Sequence, residues 1–327
     1  MKRYISVFFC VIGALILFAS CGKKALIDEY GCFVNYEDVL TNAQKKKQPL
    51  VVIFTSQGDD EKSNQIISDI LKNSDFATDI LKNYSVCHAD FSQNVFGKTI
   101  TDENASSAET KQANIYTQVI QNNYQLAMLF NIAEMPAVFL CTKEGYVVAP
   151  INLDMVTLAE LKALIEDNSG LVEEYNAMVA ATNKGSVSEK VEAIDTLYNA
   201  TLDEYRVFLL PLAKKIPDID KKNQSGLCGK YIVEVAEGEA LSAYSRGDVE
   251  TAVKKYLEAA DNEFVNNEGK QECFYTAAYL VAYSGSDDYD GILFYLKTAY
   301  EFAPQSDKAA AIQQAIDYFG MIVENAE

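Results

Sequence analysis

One stretch constrains the chain more than any other: Pro49–Ile66, PLVVIFTSQGDDEKSNQI. Val51–Phe54 is a run of four apolar residues bounded by turn-formers, which predicts a strand covered on both faces. A short polar turn follows, and a helix begins near Asp59 or Asp60. Three carboxylates, Asp59, Asp60 and Glu61, stand at that helix start. They suit either a cation or basic ligand, or the free N–H groups and positive dipole of the first turn. Capping needs no other ligands and is the favoured reading.

Residues 1–20 read as a secretory signal rather than as part of the fold. Lys2 and Arg3 precede an apolar run from Ile5 to Phe18, too short for a membrane span of ~20 residues. Phe18-Ala19-Ser20-Cys21 resembles a bacterial lipobox, which predicts lipidation at Cys21 and attachment to a bacterial membrane in the cell envelope. Cleavage lowers Lys plus Arg from 28 to 26 against 47 Asp plus Glu, a balance of −21. Such a surface argues against nucleic acid and against electrostatic adhesion to anionic lipid.

About 300 residues remain, too many for one small core, so two domains are expected. Cys32, Cys87, Cys141, Cys228 and Cys273 are scattered and never form a CxxC pair. That is neither a disulfide framework nor a zinc pattern, and buried thiols are the favoured reading. Cys228 and Cys273 are left open as a pair or as separate thiols. No cofactor or metal is expected. His88, the one histidine, lies beside Cys87 on a predicted strand, where neighbours point to opposite faces.

In order, residues 21–34 read as a lipidated tether. Tyr36–Lys47 reads as a helix, then come the Val51–Phe54 strand and a helix over Asp60–Asn83 broken at Asn73–Asp75. Tyr84–Phe91 is a strand, Ser92–Gln112 a polar, aperiodic insertion, and Asn114–Phe130 a helix. Pro136 opens a strand that turns at Lys143–Gly145 into Tyr146–Ala149, and Thr157–Glu160 is a capping box for a last helix.

This order resembles the thioredoxin-like fold, an α/β domain with a mixed sheet and flanking helices, placed at residues 35–167. VVIFTSQGDDEKSNQI is similar to the stretch that carries CxxC in that family, and VCHADF to the strand that follows. Met135-Pro136 is similar to the proline that members hold cis before the hairpin. The resemblance puts Asp60 and Ser63 in the two cysteine slots, and neither performs thiol–disulfide exchange. It also implies a groove beside Asp59, Glu61, Met135 and Pro136 able to hold an extended peptide.

Residues 168–327 are helical in spacing almost throughout, with seven or eight helices expected. The segments after Gly247 and Asp287 resemble each other at a distance of 40 residues and are similar to tetratricopeptide repeats. An irregular helical bundle fits as well. The aromatics Phe274, Tyr275, Tyr279, Tyr283, Phe294, Tyr295 and Tyr300 read as core before they read as a peptide groove. The whole predicts an exported, redox-inactive binding or scaffold protein whose partner is a protein or peptide of the envelope. The alternative is a thiol–disulfide oxidoreductase that uses a non-standard cysteine.

Overall fold

The computed structural model describes residues 25–56, 60–101 and 105–326. Cys21 and Asp59 lie outside the described residues. The sheet half runs α1 (Tyr36–Lys46), β1 (Leu50–Ser56), α2 (Glu61–Gln65), β2 (Ser85–Phe91), α3 (Gln93–Gly97), α4 (Ser107–Leu129), β3 (Ala137–Cys141), β4 (Val147–Pro150) and α5 (Leu158–Asp167). Helix α2 passes directly into a π-helical segment, Ile66–Leu71, and a second π-helical turn covers Ala77–Leu81. The strand order is β2-β1-β3-β4. Strand β1 runs parallel to β2 and antiparallel to β3, and β3 runs antiparallel to β4 with an irregularity at Leu140/Cys141. The result is a small mixed sheet with flanking helices.

Strand β1 has partners on both edges, so its backbone is fully committed, and its first six residues are buried. Its side chains alternate between two cores. Val51 and Ile53 join Ile66, Ile70, Phe76, Ile80, Leu161 and Ile165 on one face. Leu50, Val52 and Phe54 join Val39, Leu126, Phe130 and Phe139 on the other. Phe130 sits at the centre of an aromatic cluster, with ring centroids 5.4 Å from Phe54, 4.9 Å from Phe139 and 4.8 Å from Phe208.

Two readings of the sequence change here. Much of the Ser92–Gln112 insertion is helical: Ser92 opens α3, and Ser106 forms a reciprocal capping box with Glu109 that starts α4 seven residues before the apolar periodicity begins. A polar, capped first turn carries no periodic signal. The tether read over 25–34 is tied to the sheet. Ile27 and Phe33 bridge each other, and Phe33 bridges Cys87 on β2.

The rest is helical: α6 (Ser169–Ala181), α7 (Val187–Ala200), a 3-10 segment (Asp203–Leu209), α8 (Leu210–Ala213), α9 (Ile216–Ile219), α10 (Cys228–Ser245), α11 (Val249–Ala260), α12 (Asn267–Tyr283), α13 (Tyr289–Phe302) and α14 (Ala309–Ala326). The described residues divide into two compact units. The sheet unit takes the chain through Asn183 plus Thr196–Leu209, and the helical unit takes Lys184–Asp195 and everything from Leu210. The short pieces α8 and α9 surround Pro211 and Pro217, where a longer helix cannot form.

From α10 onward each helix packs on the next. Asp248 and Asp288, forty residues apart, cap α11 and α13 in the same way, each accepting from the backbone N–H three residues on. Gln271 ties α12 to the end of α13. Its amide donates to the carbonyls of Ala299 (3.2 Å) and Ala303 (2.8 Å), two of the orphan acceptors at that helix end, and its oxygen accepts from Ser306.

Two substitutions test this packing. Phe130→Ala is expected to cost the sheet unit about 3–5 kcal/mol in chemical denaturation. Gly229 in α10 faces the backbone of Phe264, whose carbonyl oxygen would stand 2.1 Å from an added Cβ. Gly229→Ala is therefore expected to cost the helical unit about 1–3 kcal/mol, and a variant as stable as the parent would show that the Phe264 backbone leaves room for a methyl group.

Candidate functional site

The end of β1 and the start of α2 form one hydrogen-bonded knot. Asp60 is the N-cap of α2, accepting from the Ser63 backbone N–H at 3.3 Å. Its other carboxylate oxygen accepts from the Ser56 hydroxyl at 3.1 Å and from the Ser63 hydroxyl at short range. Ser63 is fully buried, and its Oγ accepts from the Ser56 backbone N–H at 3.1 Å. Burial opposes the charge on Asp60, but the hydrogen bonds from Ser63, Ser56 and the backbone outweigh it and hold the carboxyl below its usual range. The two positions that the resemblance pairs, Asp60 and Ser63, are thus bonded to each other.

Pro136 belongs to the same end of the sheet. Ala137 pairs with Phe54, two residues before Ser56, and the Met135–Pro136 peptide bond is cis. Glu61 lies exposed in the first turn of α2. The structure therefore brings Asp60, Ser63 and Ser56 together and sets the cis proline at the same edge.

Beneath this end lies a buried polar chain that the sequence did not announce. Thr55 Oγ1 stands 2.8 Å from His88 Nε2, and His88 Nδ1 stands 2.9 Å from Asp28 Oδ2. The other oxygen of Asp28 accepts from the N–H groups of Tyr30 (2.9 Å) and Cys32 (2.8 Å). Hydroxyl, imidazole and carboxylate follow the order of a nucleophile, its base and an orienting acid. Thr55, however, is fully buried and His88 nearly so, so no substrate reaches the hydroxyl. The chain clamps residues 27–33 onto β2. Asp28 stands 60 residues from His88 in sequence, and only the lone histidine hinted at it.

All five cysteines in the described residues are buried and free. Burial pushes the thiols of Cys32, Cys87 and Cys141 well above the ordinary value, raises Cys228, and takes Cys273 to about 12. A thiolate is the reactive form, so these groups are poor nucleophiles and poor ligands. Among the described residues no group of His, Cys, Asp and Glu side chains stands close enough together to hold a metal ion.

A family model described as "Uncharacterised protein C-terminal domain" matches residues 227–324, the helices from α10 onward. An "Uncharacterized protein" of Treponema pallidum (strain Nichols) is 24% identical over 198 residues, which span 60% of this chain and 66% of that relative. Among solved structures, one titled "DsbH Oxidoreductase" aligns with 46% of this chain and 87% of its own at 14% identity, with a TM-score of 0.31.

Two measurements test the site. Thr55→Val strands His88 without its hydroxyl partner and is expected to cost about 1–3 kcal/mol. Asp60 has a folded-state pKa below its unfolded one, so its contribution is full above the ordinary value of about 3.9 and is lost as pH falls through the folded value. The gap in Tm between the parent and Asp60→Ala is expected to shrink as pH drops from neutral into that acid range. A gap independent of pH would mean that the charge on Asp60 contributes nothing.

Proposed function

We propose that this chain is an exported, lipid-anchored protein of the bacterial cell envelope. Its thioredoxin-like half has given up redox chemistry, and it acts by binding or scaffolding other envelope proteins or peptides. The observation that carries this reading is the knot of Ser56, Asp60 and Ser63. In thiol–disulfide exchange a thiolate at a helix N-terminus attacks a disulfide sulfur. Here a carboxylate already satisfies that helix end, and a buried hydroxyl satisfies the carboxylate. Neither group exchanges with a disulfide. The five sealed cysteines supply no substitute nucleophile.

The lipid anchor rests on Cys21 and the residues before it. Among the described residues no helix is long and apolar enough to cross a membrane. The tetratricopeptide-like reading of the helical half rests on stacked neighbouring helices and the forty-residue repeat of the Asp248 and Asp288 caps. Stacked helix pairs of that kind offer extended surfaces for partners.

The test is insulin-disulfide reduction by a chain beginning at Gly22. No turnover is expected from the parent. The double variant Asp60→Cys/Ser63→Cys is expected to gain measurable turnover. Turnover by the parent, abolished by replacing one of Cys87, Cys141, Cys228 or Cys273, would make the protein an oxidoreductase with a relocated nucleophile.

A further inference from the structure

A cleft of about 600 Å³ opens in the helical unit between the first turns of α10 and α12 and the residues that lead into α14. Its walls carry Glu234, Glu268, Glu272 and Asp307 against Lys230 and Lys308. Both lysines are engaged: Lys230 with Asp195 at 2.7 Å and Lys308 with Glu272. Glu237, one turn beyond Glu234 on α10, lies outside the cleft lining but close enough to Glu234 and Glu272 to feel their charge. Although Glu237 is solvent-open, reduced hydration raises its carboxyl pKa, as do Glu234 and Glu272, while Lys308 pulls it down. The cleft is acidic, with its cations already paired.

The acidic wall continues into an aromatic one. Glu268, Glu272, Tyr275, Tyr279 and Tyr283 follow one another along α12 at steps of three or four residues, which places them on one helix face. The rings of Tyr275 and Tyr279 stand 4.9 Å apart and those of Tyr279 and Tyr283 5.6 Å apart, the second pair stacked. Tyr279 is 41% exposed and Tyr283 75%. On α10, Leu241 extends the line of Lys230, Glu234 and Glu237 and is 51% exposed. Exposed apolar and aromatic surface held in a row marks a contact site rather than a solvated face.

We propose that this cleft and the tyrosine strip beyond it bind an extended, basic polypeptide segment in which lysine or arginine alternates with apolar residues. Glu237, Glu268 and Asp307 pair with cationic heads, and guanidinium groups stack on the tyrosine faces, where the ring quadrupole attracts cations. Apolar residues of the segment cover Leu241. The seventeen residues of α12 give a strip of about 25 Å, the length of seven or eight extended residues. A second copy of this chain, with a formal charge of −19, is repelled by the same wall, as are nucleic acid and anionic lipid.

The proposal rests on the binding role above and gives it a ligand class. The full chain is titrated into a fluorescein-labelled peptide of alternating arginine and leucine, read by anisotropy. A peptide of alternating glutamate and leucine serves as control. Saturable binding of the arginine peptide alone is expected. Glu237→Gln/Glu268→Gln is expected to weaken it roughly tenfold and Tyr279→Ala roughly threefold. Glu173→Gln/Glu174→Gln on α6 makes the same change in net charge and is expected to leave affinity within about twofold. All these residues are solvent-open, and a thermal melt of each variant checks the fold. Absence of saturable binding, equal binding of the glutamate peptide, or equal loss in the two double variants would overturn the proposal. None of these outcomes touches the redox reading, which insulin turnover decides separately.

Discussion

The sheet half depends on the pairing of β1 along both of its edges. A strand with a parallel partner on one side and an antiparallel partner on the other has no free backbone donor or acceptor in the paired stretch. Its side chains must then serve two cores, which explains why Leu50 to Thr55 are buried without a polar interruption until the hydroxyl of Thr55. Thr55 points its hydroxyl at His88, and through it the segment around Asp28 is held against β2. The same strand ends at Ser56, which hands the chain to the Asp60 cap. Core, clamp and candidate site therefore share one strand.

That arrangement decides what chemistry the strand end supports. A helix N-terminus attracts negative charge. Here the charge is a carboxylate fixed by Ser56, Ser63 and the backbone, not a thiol awaiting deprotonation. The network is closed: each oxygen of Asp60 has a donor, and the Ser63 hydroxyl both donates and accepts. Such a site is a good helix cap and offers no nucleophile. The cysteines elsewhere follow the same logic, because burying each away from water disfavours its thiolate.

Much of this was legible in the sequence. The apolar run at Val51–Phe54, the acidic helix start and the strand-opening Pro136 are local signals, and each predicts its element within a few residues. What was not legible depended on distance or on silence. The Thr55–His88–Asp28 chain joins residues from three separate segments, and no spacing rule connects them. The start of α4 is written in a capping box, which has no apolar period. The tyrosines of α12 read as core because their helical spacing is that of a buried stripe, yet Tyr279 and Tyr283 are exposed. Cys273 and Ala277 occupy the buried side of that helix instead. Small residues pack helices closely and leave the large ones outside, a reversal that periodicity alone does not reveal.

The central claim is that the described residues hold no usable thiol, and mass-spectrometric counting of maleimide adducts on the native protein tests it most directly. Cys32, Cys87, Cys141, Cys228 and Cys273 are expected to stay unlabelled at neutral pH over minutes and to label together once the chain is unfolded. Rapid labelling of any one of them in the native protein would contradict the account and identify the sulfur on which an oxidoreductase would be built.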